Sequence, residues 1–197
     1  KVKAITMNED KSAAILNEKC ISCGACVYQC PFGAISDKSY ITKAVRILKE
    51  SDHNRRYKTY AVVAPSLGAQ YADVEMGRVL GGLLKLGFYY LVEAAWGADF
   101  VAYLEAQELA EKGSLYSSCC PAFVSYVETQ HPEQADKISH TPSPMVMIAK
   151  KIKEEDHDAR VVFIGPCIAK KHEFRLGKTQ GSVDCVLTFE ELQALFD

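Results

Sequence analysis

The chain has 197 residues and a formal net charge of −2, with apolar residues making up 48% of it. That length and content support one or two domains with a real core, and the charge excludes the broad basic field of a nucleic-acid binder. No apolar run approaches the roughly 20 residues of a membrane span, and no signal peptide opens the sequence.

The first residue is Lys1 rather than Met, which suggests an excerpt or a processed form. The eight cysteines are Cys20, Cys23, Cys26, Cys30, Cys119, Cys120, Cys167 and Cys185. The first four stand at ligand-like spacing rather than as a secreted disulfide framework, so a reducing cytoplasm is expected.

The strongest local signal runs from Cys20 through Cys23, Cys26 and Cys30 to Pro31. Its C-x2-C-x2-C-x3-C-P spacing is that of bacterial iron–sulfur ferredoxins. Three thiolates in a tight loop reach three corners of a cubane, and Gly24 eases the backbone path between them. Small residues between the ligands leave N–H groups free for the cluster sulfurs. The rival is structural zinc, which usually takes two cysteines from each loop.

Cys30 in this spacing normally ligates the other cluster of a pair. Val2-Lys3-Ala4-Ile5-Thr6 resembles Phe32-Gly33-Ala34-Ile35-Ser36 at an offset of 30, the tail of an internal repeat. The counterpart of Cys30 would then fall immediately before Lys1, and the Cys20/Cys23/Cys26 cluster would lack its natural fourth ligand. Residues 1–40 are therefore expected to be a partial ferredoxin-like 4Fe–4S module.

Residues 41–58 are expected to be a connector, with Ile41, Val45 and Leu48 at helical spacing before a polar run. From residue 59 the pattern predicts alternating strands and helices. Strands are expected at 60–64, 89–94, 115–116, 160–164 and 183–187. The first helix should turn Val74, Val79, Leu80, Leu83 and Leu84 inward; others are expected at 98–112, 121–130 and 143–154. A last helix has Thr188 as its N-cap and Glu190 and Glu191 in its first turn.

This alternation argues for an α/β fold, a parallel sheet flanked by helices, behind the small N-terminal iron–sulfur segment. Ligands of such sheets gather beyond the carboxyl ends of the strands. Pro65-Ser66, Cys119-Cys120 and Gly165-Pro166-Cys167 each follow a predicted strand, so three strand ends should converge.

The adjacent pair Cys119-Cys120 is the centre of that convergence. Neighbouring Cα atoms lie about 3.8 Å apart, below the usual disulfide span of roughly 4.4–6.8 Å, so the two thiols are expected to have separate jobs. The competing reading is two small apolar core residues. Cys185, mid-strand, reads as core. His140 and His172 have no defined partner and read as surface residues. A cysteine nucleophile at Cys167 is conceivable, but an adjacent ferredoxin motif implies electron delivery to a redox metal centre.

Ser117-Ser118-Cys119-Cys120-Pro121 and Gly165-Pro166-Cys167-Ile168-Ala169-Lys170-Lys171-His172-Glu173 resemble the first two signature motifs of iron-only (FeFe) hydrogenases. Ala64-Pro65-Ser66 matches as well, and the resemblance covers essentially the whole chain. These enzymes interconvert protons and electrons with dihydrogen. Their H-cluster is a cubane joined through a cysteine to a two-iron unit carrying carbon monoxide, cyanide and a bridging dithiolate.

The resemblance implies that residues 59–197 are the N-terminal part of the catalytic domain. It makes Cys120 and Cys167 two of the four cubane ligands and Cys119 the thiol that exchanges protons with the two-iron unit. Lys170 would hydrogen-bond a cyanide, and Ala64, Pro65 and Ser66 would pack against the unit. Alignment of residues 105–109 and of the segment after Cys120 puts the onward proton path at Glu108, Ser139 and Glu173, with Lys112 where the family's terminal arginine stands. Read without the family, Glu108 is a solvated helix residue and Ser139 a turn or N-cap residue.

Several positions depart from the family's pattern. Ala122 and Phe123 stand for glycine and tryptophan, Gly165 for methionine and Met145 for glutamine. The third motif, source of the other two cubane cysteines, does not occur before Asp197. The expectation is an inactive piece of a hydrogenase, unable to hold a complete H-cluster, whose parent takes electrons from a low-potential carrier such as ferredoxin. The alternatives are a non-catalytic relative, either a hydrogen sensor or an iron–sulfur assembly factor, and a plain ferredoxin fused to an α/β binding domain. The relatives commonly lack the cysteine that Cys119 matches.

Overall fold

A computed structural model describes residues 2–197. Near the N-terminus β1 (Ile5–Met7) and β2 (Ala13–Ile15) pair antiparallel, Ile5 opposite Ile15. The Asp10 carboxylate accepts bonds from the Ser12 N–H and hydroxyl in the turn between them. The short helix α1 (Ala25–Gln29) follows the first two cysteines of the motif and buries none of its residues. Through residue 36 Ala4 alone is buried among the described residues, so this segment has no apolar core of its own.

The main sheet contains β3 (Thr59–Val63), β4 (Tyr90–Glu93), β5 (Arg160–Ile164) and β6 (Cys185–Leu187). All neighbouring pairs are parallel, in the order β4-β3-β5-β6. Parallel strands covered on both faces read as continuous apolar runs rather than alternation. Val161, Val162 and Ile164 of β5 are accordingly fully buried, as are Cys185 and Leu187 of β6. β4 is an edge strand, and its Tyr90 is exposed.

The first connection runs from β3 through α3 (Leu67–Gln70) and α4 (Met76–Lys85) to β4. Val79 and Leu83 are buried on α4, whereas Val74 and Leu84 are exposed. Val74 precedes the helix, so the predicted inner face does not begin there. The chain then returns through α5 (Ala94–Lys112), α6 (Pro121–Gln130) and α7 (Pro144–Glu155) to β5 on the other side of β3. α8 (Ala169–Glu173) leads to β6, and α9 (Phe189–Phe196) closes the described chain. The Thr188 hydroxyl and the Glu191 carboxylate cap α9 reciprocally, as the sequence predicts.

One finding revises the predicted elements, and another describes the packing of the expected connector helix. Tyr116 forms a single parallel bridge with Ile138 instead of a third strand of the main sheet. The connecting helix α2 (Ile41–Glu50) packs on β6 and α9, with Ala44 and Ile47 in the same core as the sheet.

α5 and α7 form the most extensive helix pair. A Cβ on Gly97 would stand 2.2 Å from the Pro144 carbonyl oxygen and 3.1 Å from Ile148 Cβ. This contact fixes where α7 begins. Gly97→Ala overpacks the crossing and is expected to destabilise the protein by about 1–3 kcal/mol, measurable as a lower urea midpoint with an unchanged slope.

Candidate functional site

The sheet order contains a reversal. β3 sends its connection to one side to form β4, and the chain comes back to the other side as β5. Ligands of open α/β sheets bind beyond the carboxyl ends at such a reversal. Ala64-Pro65-Ser66 follows β3 there, and Gly165-Pro166-Cys167 follows β5. A Cβ at Gly165 would lie 2.6 Å from the Phe163 ring and 3.2 Å from Ala64 Cβ, so Phe163 fills the space of a side chain at 165.

The cysteine pair reaches this region on an extended segment. Tyr116 N–H donates to the Lys137 carbonyl at 2.7 Å, and Ser139 N–H donates to the Tyr116 carbonyl at 2.8 Å. The Glu105 carboxylate accepts from the Ser117 hydroxyl at 2.9 Å and from Ser118 N–H at 3.2 Å. Ser118 Oγ donates to the Thr141 carbonyl. Cys120 is the N-cap of α6, whose first residue, Pro121, has no N–H to leave unpaired. Both Cys119 and Cys120 are exposed and unbridged.

Lys170 ties the two motifs together. Its ammonium donates to the Cys119 carbonyl at 2.9 Å and to Glu173 Oε2 at 2.7 Å. Its neighbour Lys171 is buried, and bonds Asp37, the Lys38 carbonyl and Glu191. That network joins the N-terminal segment to α8 and α9. The cysteine loop rests on the same region, since a Cβ on Gly24, which has φ +76°, would meet Ile168 Cδ1 at 2.9 Å. Cys23 and Cys167 consequently line one cavity.

The thiols of Cys20, Cys23 and Cys26, soft ligands on one tight loop at ferredoxin spacing, fit an iron–sulfur group. Backbone N–H groups of Phe32, Ala34, Ile35 and Gly33 surround Cys30 and lower its thiol pKa. Such a nest favours a thiolate ligand. By contrast, burial pushes the Cys185 thiol up to about 12; fully buried, it is a core residue.

The proposed proton path is brought together in part. Ser139 Oγ donates to Glu108 Oε2 at 2.6 Å, His140 N–H donates to the same carboxylate at 3.2 Å, and Lys112 Nζ donates at 2.8 Å. Glu173 does not touch this group; it pairs with Lys170 and shares a cavity with Ser139. Glu105 is the residue the sequence reading passed over. Its three-residue spacing from Glu108 puts both on one face of α5, and it stands one hydrogen bond from the backbone that carries Cys119.

Burial raises the Glu108 carboxyl, but the bonds from Lys112, Ser139 and His140 outweigh it and hold the group at about 2. A depressed native pKa adds stability above the unfolded value, and the gain is lost as pH falls through the native one. Wild-type protein should therefore exceed Glu108→Gln in stability at pH 6, and the difference should shrink between about pH 4.5 and about 2. Urea unfolding across that range measures it.

Comparison with known proteins completes the description. Residues 57–197 match the family described as iron only hydrogenase large subunit, C-terminal domain, and residues 13–36 match the 4Fe-4S binding domain. The chain is 29% identical to the NADP-reducing hydrogenase subunit HndD of Solidesulfovibrio fructosivorans, covering 89% of this chain and 35% of that protein. It is 30% identical to the periplasmic Fe hydrogenase large subunit of Nitratidesulfovibrio vulgaris, covering 88% and 55%. It is also 28% identical to the cytosolic Fe-S cluster assembly factor NAR1 of Meyerozyma guilliermondii, covering 90% and 38%. The chain thus spans between about a third and about half the length of these relatives. With both motifs at the sheet reversal and the matched domain spanning most of its length, the chain belongs to the iron-only hydrogenase family.

Proposed function

We propose that this chain is part of a hydrogenase that catalyses reversible hydrogen formation, two protons and two electrons giving one dihydrogen. The observation that carries the reading is the loop of Cys119, next to the matched ligand position Cys120: its carbonyl accepts from Lys170, and the preceding Ser117 and Ser118 donate to Glu105. When bound, the two-iron centre would supply the redox chemistry. Cys120 and Cys167 would hold the cubane, and Ala64, Pro65 and Ser66 would wall the space beside it.

Cys119 Sγ would hold and release the proton. Glu105 is the first acceptor beyond it, and Glu108 with Ser139 continues the path towards Lys112 at the helix end. Thiol, carboxyl and hydroxyl groups can each take and give a proton. Glu173 is a positioning residue in this account, since it orients the Lys170 ammonium that would meet an anionic ligand of the centre. Cys20, Cys23 and Cys26 would hold the 4Fe–4S cluster, and the Gly24–Ile168 contact puts their loop beside Cys167. A low-potential carrier such as ferredoxin would feed that cluster.

The second reading, a non-catalytic assembly factor, is favoured by the similarity to NAR1 proteins. Cys119 separates the two readings, because a protein that only passes clusters on has no use for a proton-carrying thiol there. The cytosolic NAR1 relatives support a cytoplasmic setting, whereas the hydrogenase of Nitratidesulfovibrio vulgaris is periplasmic. No described helix is long and apolar enough to cross a membrane.

The test matures the full-length protein carrying this chain with the diiron unit and follows hydrogen evolution from a reduced low-potential donor. Turnover is expected, with a loss of at least a hundredfold in Cys119→Ser and retained iron content. Absence of turnover in a fully loaded protein, or a Cys119→Ser variant as active as wild type, removes the catalytic reading.

A further inference from the structure

The matched motifs sit at the carboxyl ends of the strands. At the amino ends of β3, β5 and β6 lies a separate groove of about 910 Å³. Five cations line it: Lys43 and Arg46 from α2, Arg56 before β3, Arg160 at the start of β5 and Arg175 after α8. The whole chain carries a net charge of −2, so this positive excess is local. Two carboxylates share the lining. Asp184 is committed inward, accepting from Lys153 Nζ at 2.7 Å and from Val161 N–H at 2.8 Å. Glu50, the last residue of α2, is exposed. Among the described residues Lys43, Arg46, Arg56 and Arg175 form no ion pair.

Two of the cations are held in place by aromatic rings. Lys43 Nζ lies 5.3 Å from the centre of the Phe174 ring, and the Arg160 guanidinium 5.1 Å from that of Tyr57. Tyr57 is fixed in turn, donating its hydroxyl to the Ile47 carbonyl at 2.8 Å. A ring orients a long cationic side chain without neutralising it, so less freedom is lost when a partner arrives. Ile47, Phe174 and Val183 are buried and form an apolar floor. An apolar floor within a charged rim is the anatomy of a protein–protein contact. Arg175 also lines the cavity against the cysteine loop, together with Cys20 and Cys26. The groove thus runs to the flank of the 4Fe–4S motif.

We propose that this groove is the docking surface for a small acidic electron-carrier protein, which reduces the cluster held by Cys20, Cys23 and Cys26. The proposal rests on the reading above that electrons enter at that loop. One electron leaves the reduced centre of the carrier and reduces the cluster, with no bond made or broken. Opposite charges raise the encounter rate and orient the carrier. A small, polar contact suits a partner that must leave after each transfer.

Calorimetry and stopped-flow reduction of the cluster-loaded chain test the surface, with a small acidic 2[4Fe–4S] ferredoxin as the probe. The oxidised ferredoxin should bind, and its affinity should fall between about 0.01 and 0.1 M salt, as the screening length drops from about 30 to about 10 Å. Arg46→Glu combined with Arg56→Glu should weaken binding about tenfold or more and slow reduction by the reduced ferredoxin in step. Arg78→Glu combined with Lys85→Glu, on α4, makes the same change in net charge away from the groove and should alter binding by less than about twofold. All four residues are exposed, so neither pair disturbs the core. Absence of binding at low salt, or equal weakening by the α4 pair, overturns the proposal. Pyrophosphate that binds more tightly than the ferredoxin, and is lost with Arg46 and Arg56, identifies a small-anion site and overturns it too. Fast reduction unaffected by the groove pair defeats the proposal alone. Groove-dependent binding with no reduction of the cluster defeats the electron-entry reading, and the proposal with it.

Discussion

A buried ammonium must be paired, and Lys171 meets that requirement by gripping Asp37 and Glu191 together. Removing one member of such a set leaves an uncompensated charge, at a cost of about 3–5 kcal/mol. The arrangement therefore fixes the N-terminal segment against α8 and α9. Glu191 is committed further, since it also accepts from Tyr40 N–H and Thr188 N–H. One residue earlier, Lys170 reaches the opposite way to Cys119. The five residues Cys167 to Lys171 thus set the positions of both the cysteine loop and the cysteine pair.

The strands and motifs were legible in the sequence where one local rule governs them. β3 and β5 are apolar runs because both sheet faces are covered, and the cap of α9 follows from Thr188 and Glu191 three positions apart. The site positions at the ends of β3 and β5 follow from the same rule. The cysteine pair was found for a different reason than expected, since Tyr116 ends in an isolated bridge rather than in the sheet.

What the sequence did not give depends on contacts distant along the chain. Val74 and Leu84 fit an apolar helix face, but only packing against β4 decides which residues that face includes. Lys171 and Asp37 lie 134 residues apart, so their pairing has no local signature. Glu105 and Glu108 were both visible at helical spacing. Which of them meets Ser117 and which meets Ser139 depends on how α5 crosses α7, and that crossing rests on Gly97 and the Pro144 carbonyl.

The chain has one tryptophan, Trp96, and it is 62% exposed on α5 beside the exposed Phe100 and Tyr103. An indole already in water changes its emission little when the core melts. Intrinsic tryptophan fluorescence would then under-report unfolding of this protein, while giving a sensitive signal of anything that covers α5. Circular dichroism is the suitable probe for folding, and a blue shift of Trp96 emission is the suitable probe for association on that face.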